Sequence, residues 1–132
     1  MNHAWPALYC CFAGHSNFIT GAGGFLQNIV QGWAGVRIEA DAMTIRHPTL
    51  PPTVTSVKLR SMQYRGVAFS VHFDANEISF VLAEAQHGVM QLMITAGSAE
   101  AQKLGTEPVV HSLAQANNSF AIAAVRRTGS DS

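Results

Sequence analysis

The sequence predicts a mainly β protein, an antiparallel sheet or small sandwich preceded by one short helix. Three observations predict it. Apolar residues follow a helical period only once, between Phe25 and Trp33. From Val36 onward they alternate with period two, the spacing of a half-buried strand. Turn residues break that alternation at hairpin intervals, and no helical pattern lies between the strand candidates.

The elements follow in order. Ala13 to Gly24 contains Gly14, Gly21, Gly23 and Gly24 with Ser16, Asn17 and Thr20, a loop composition. A helix is expected from Gly23 or Gly24. Phe25, Leu26, Ile29, Val30 and Trp33 form its apolar stripe, and Gln27, Asn28 and Gln31 its polar face. Gly32 and Gly35 supply the stop. About two turns of helix cannot stand alone in water, so this one must pack on something larger.

Val36 and Ile38 make a short strand, and Met43 and Ile45 another, with a turn at Asp41. His47-Pro48 through Pro51-Pro52 is a connector. Val57, Leu59 and Ser61 alternate with Lys58 and Arg60, as in an edge or half-exposed strand. Arg65-Gly66 signals a tight turn. Val67, Phe69, Val71 and Phe73 then alternate with Ala68, Ser70, His72 and Asp74 in the clearest strand of the chain. After the turn at Asp74 to Glu77, Ile78, Phe80 and Leu82 form the next strand. His87-Gly88 turns the chain into Met90, Leu92 and Ile94, and Gly97 to Thr106 reads as loop. Val109 to Leu113 and Phe120 to Val125, separated by Asn117-Asn118, complete seven or eight strands. The organisation is an N-terminal segment, 1–35, a β domain, 36–127, and a polar tail, 128–132.

Hydrophobic residues make up 48% of the 132 and charged residues 12%, about half the charge of an ordinary globular domain. So lean a surface suggests that part of it is covered by another domain. Eight basic residues balance eight acidic ones, and only Arg126 and Arg127 are adjacent. A nucleic-acid partner needs a basic footprint, and the sequence has none. Met1 to Ala13 is apolar but carries no Lys or Arg and contains Pro6, unlike a secretory signal. No run reaches the ~18 apolar residues of a membrane helix. The expectation is a soluble, cytoplasmic chain with no membrane association.

Cys10 and Cys11 are neighbours and read as buried small hydrophobes or free thiols, not as a disulfide. His3, His15, His47, His72, His87 and His111 lack metal-ligand spacing. No metal or cofactor is expected. Gly21-Ala22-Gly23-Gly24 invites a phosphate-binding reading, but a dinucleotide fingerprint would require glycine where Leu26 stands and a preceding strand. Close backbone packing at a helix entrance accounts for these glycines instead. Asp74 and Glu77 serve a turn, Glu39 and Asp41 flank one, and Glu84 ends a strand. Solvation is expected for each, and no residue is assigned a catalytic role.

Asn17-Phe18-Ile19-Thr20-Gly21-Ala22-Gly23-Gly24-Phe25-Leu26-Gln27 resembles a signature of family 65 glycoside hydrolases. Its nearest likeness is the branch of acid trehalase-like proteins and hydroxylysine-linked glucosylgalactose glucosidases. The resemblance runs from about Gly14 to about Glu84 and is strongest over Asn17 to Arg37. It implies that the helix is the last one of an (α/α)6 barrel and that Gly32 to Arg37 leads into a C-terminal β domain. The family acts on α-glucosides with inversion, using a barrel glutamate as general acid. That glutamate lies upstream of the matched segment, so no residue here inherits its role.

In phosphorylase members of the family this loop carries a His and a Ser that hold phosphate. The aligned residues here are Phe18 and Gly21, which favours the hydrolases. The resemblance implies that Asn17, Thr20, Gly21, Gly23 and Gly24 form a loop lining the substrate cleft. The implied role is a C-terminal part of a glucosidase whose β domain buttresses the catalytic barrel, with trehalose-like or glucosyl-galactosyl-hydroxylysine-type substrates. An α-glucoside is then a partner only of the full-length enzyme. The alternative is a stand-alone sandwich binding carbohydrate or a protein, for which Tyr64 is the candidate aromatic platform.

Overall fold

The computed structural model describes residues 19–83, 89–114 and 117–127. Helix α1 spans Ile19–Gln27 and runs directly into a wider π-helical segment, Asn28–Trp33. Nine strands follow: β1 Val36–Ile38, β2 Met43–Arg46, β3 Ser56–Tyr64, β4 Val67–Asp74, β5 Glu77–Leu82, β6 Met90–Ala96, β7 Gln102–Lys103, β8 Val109–Ser112 and β9 Ser119–Arg126. They form two antiparallel sheets, β1-β2-β9-β6-β7 and β3-β4-β5-β8. This is the expected mainly β architecture with one helical lead.

Alternation decides which side chains meet between the sheets. Phe69, Val71 and Phe73 of β4 and Ile78 and Phe80 of β5 are buried from one sheet. Ile45 of β2, Leu92 and Ile94 of β6 and Phe120 and Ile122 of β9 are buried from the other. The Phe80 and Phe120 rings lie 5.7 Å apart between centroids across the seam. Burying such rings is the main favourable contribution to a domain of this size.

Turn chemistry sets the hairpins. Arg65 and Gly66 both take positive φ, 51° and 80°, as a two-residue hairpin between β3 and β4 requires. Between β4 and β5 the Asp74 carboxylate accepts the backbone N–H groups of Asn76 and Glu77 at 2.7 and 2.9 Å. The long edge strand β3 is interrupted by a bulge between Leu59 and Met62. There Ser61 has φ 52°, and its N–H donates to the Ser70 hydroxyl. A bulge and the charged Lys58 and Arg60 both discourage pairing with another chain.

The structure corrects several expectations. The helix spans Ile19–Gln27 rather than starting at Gly23, so Thr20 to Gly24 is helical and not a loop. Loop composition misled because the helix satisfies these backbone groups internally, at about 1 kcal/mol per glycine relative to alanine. Close packing does not explain Gly23 or Gly24, since an added Cβ at either would meet nothing within 4 Å. The stretch Gly97 to Thr106 contains β7, and Leu104 beside it is buried, its N–H bonded to the Leu92 carbonyl at 2.9 Å. Tyr64 is no platform, for it is buried at 6% exposure, opposite Val67 on β4.

Candidate functional site

The helical lead joins the sandwich through a short backbone crossing. The π-helical segment ends when the Ala34 N–H bonds the Ile29 carbonyl at 2.9 Å, five residues back. Gly35 then takes φ +67°, the left-handed residue that commonly terminates a helix. It passes so close to β2 that a Cβ would stand 2.0 Å from the Arg46 carbonyl oxygen. The Arg46 N–H donates to the Gly35 carbonyl at 3.1 Å, and the Thr49 N–H to the Trp33 carbonyl at 2.7 Å. Of the two expected stop residues, Gly35 is the stop. Gly32 lies inside the π segment with open space around it.

Arg37 completes the crossing. Its guanidinium donates to the Gln31 carbonyl and, at 2.8 Å, to the Val36 carbonyl. A cation on the exposed carbonyls of a helix C-terminus is favourable both by hydrogen bonding and by the helix dipole. Nearby, the Arg46 guanidinium donates to the Glu39 carboxylate at 2.6 Å, and the Thr44 hydroxyl donates to it at 3.1 Å. Glu39 is thus ion-paired rather than merely solvated, a surface pairing worth at most about 1 kcal/mol. A basic residue just beyond a helix stop was the sequence signal for Arg37. Nothing in its sequence context identified the carbonyls it serves.

The apolar stripe divides at the change of helix type. Val30 packs against the core and Trp33 is half-buried. Phe25 and Leu26, one to two turns earlier, are 64% and 60% exposed. A π segment has more residues per turn than an α-helix, so it shifts the phase of the stripe midway. Two large adjacent apolar side chains of α1 are thus left outside the core.

The residues singled out for a substrate loop fall as follows. Asn17 lies outside the described residues. Thr20, Gly21, Gly23 and Gly24 lie on α1, with Thr20, Gly23 and Gly24 exposed. None of them makes a side-chain hydrogen bond to another described residue. Cys10, Cys11, His3, His15, His87 and Glu84 also fall outside the described residues. Among the described residues no three His, Cys, Asp or Glu side chains gather closely enough to hold a metal. No helix among them is long and apolar enough to cross a membrane.

Comparison with known proteins relates this chain to a glycoside hydrolase. The relative is the protein-glucosylgalactosylhydroxylysine glucosidase of Dictyostelium discoideum, 45% identical over 67 residues. The match takes in 51% of this chain and 9% of that protein, so the chain spans less than a tenth of the relative's length. No protein-family model and no solved structure matches.

Proposed function

We propose that this chain is the C-terminal part of an inverting family 65 glycoside hydrolase acting on α-glucosides. Substrates of trehalose-like or glucosyl-galactosyl-hydroxylysine type fit that reading. In it, α1 is the last helix of the (α/α)6 barrel, Gly35 and Arg37 set its angle to the sandwich, and the β domain buttresses the barrel. Catalytic carboxylates belong to the barrel, and the chain alone is silent. One observation carries the reading: the 45% identity to a glucosidase. The exposure of Phe25 and Leu26 supports it, because a stripe of this size on so short a helix requires a partner surface.

A stand-alone carbohydrate module fits less well. Sugar platforms need exposed planar rings, yet on the strands Tyr64, Phe69, Phe73, Phe80 and Phe120 are buried, and the exposed Phe25 ring lies on the helix. The test uses the 132-residue chain with a separately expressed catalytic barrel of the Dictyostelium relative. Expected are no glucose release from α-glucosides by the chain alone and co-purification with the barrel, lost in a Phe25→Ser/Leu26→Ser variant. Turnover by the chain alone, or binding to the barrel that this variant leaves intact, would overturn the proposal.

A further inference from the structure

His111 stands at the centre of the short edge strand β8 and points into the seam between the sheets. Its imidazole centroid lies 6.4 Å from Phe80 on β5 and 5.9 Å from Phe120 on β9. The three rings therefore form a triangle with members on both sheets. The His111 Nε2 is shut off from solvent and has no hydrogen-bond partner among the described residues. A buried polar atom without a partner is uncommon and costly, and a charge there is costlier still. Strand β8 is held on one side only, by four residue pairs with β5.

We propose that His111 is an acid-sensitive latch: its protonation expels the imidazole from the Phe80–Phe120 seam and releases β8 from the edge of the sandwich. Among the described residues no charge on the surrounding elements compensates the proton. On β5, Glu77 pairs with Ser112 and alternates to the face opposite Ile78 and Phe80. The Asp74 carboxylate is turned onto the Asn76 and Glu77 amides. On β9, Arg126 lies at the far end, opposite Met90, whereas Phe120 lies opposite Ala96. Glu107, before β8, is exposed. His111 meets Phe80 at an interplanar angle of 66° and Phe120 at 46°.

Burial accordingly holds the His111 imidazole below its ordinary value. The sign follows. The unfolded chain takes up the proton near the usual value of about 6.5, the folded chain only at lower pH. The stability contributed by neutral His111 is fully present above the unfolded value. It falls as the pH descends from there toward the folded value. The same loss, taken locally, falls on β8, which is held on one side only.

The experiment is urea unfolding of the full 132-residue chain at about pH 7.5 and about pH 5.5, beside His111→Gln and His111→Phe, with amide exchange of 109–112. In the native chain acidification should raise the unfolding equilibrium constant several-fold more than in either variant. Exchange in β8 should rise ahead of the rest, once corrected for intrinsic rates. Should both variants fail to fold, NMR titration of the His111 imidazole in the native chain decides. A midpoint below the ordinary range supports the latch. An ordinary or raised midpoint, or equal pH dependence in native and variant chains, overturns it.

Discussion

Replacing Gly35 with alanine tests whether the crossing from helix to sandwich is as tight as described. Three contributions set the magnitude. A non-glycine residue in the left-handed region costs about 1–2 kcal/mol. The new Cβ, 2.0 Å from the Arg46 carbonyl oxygen, forces β1 away from β2. That movement stretches the 3.1 Å bond from the Arg46 N–H to the Gly35 carbonyl, another ~1 kcal/mol. Stiffening of the unfolded chain returns about 0.4–1 kcal/mol. The net loss is about 1–3 kcal/mol, a sizeable share of the ~5–15 kcal/mol that holds a typical domain together. The assay is urea unfolding followed by circular dichroism on the full chain, with Gly66→Ala as reference. Gly66 also has positive φ, +80°, but its Cβ would meet nothing within 4 Å. Alanine there carries the conformational cost alone, about 1 kcal/mol. Equal losses at the two positions would refute the close approach.

Further outcomes follow from the same geometry. Phe80→Ala removes the ring that bridges the sheets and should cost about 3–5 kcal/mol in denaturant unfolding. Phe25→Ser with Leu26→Ser should change the stability of the isolated chain by no more than ~0.5 kcal/mol, while lowering binding of a hydrophobic dye. Lys58→Val with Arg60→Val should make the β3 edge adhesive, detected by light scattering as concentration-dependent association. Asp74 is held below the usual carboxylate range by the Asn76 and Glu77 amides. Its ionised form contributes stability above about pH 4, lost as pH falls through the folded value. Asp74→Ala should therefore destabilise the chain more at about pH 6 than at about pH 3, in parallel thermal melts.

The identity of the β domain was legible in the sequence because strand alternation is a local property. Val67 to Asp74 alternates strictly between apolar and polar or small residues, and the structure buries the Val67 set. Arg65-Gly66 and Asp74-Ala75-Asn76 announced their turns because positive φ and side-chain-to-backbone hydrogen bonds are written into residue type. The helical lead was read too short at its start. Glycine content lowers helix propensity but does not forbid a helix, and no local signal marks an α-to-π transition. Tyr64 looked available because exposure depends on what the opposite sheet covers.

By itself, then, the sequence determined the mainly β class, the hairpin turns, the alternating core and a helix with more apolar surface than it can bury alone. Each rests on neighbours within a few residues. Tertiary structure alone decided that β9 enters between β2 and β6, that β8 is an edge, and that Gly35 lies against Arg46. It also decided that His111 closes a ring triangle with Phe80 and Phe120. These depend on pairings between residues far apart in the chain. Such pairings are selected by the packing of the two sheets together, and no window of sequence contains that information.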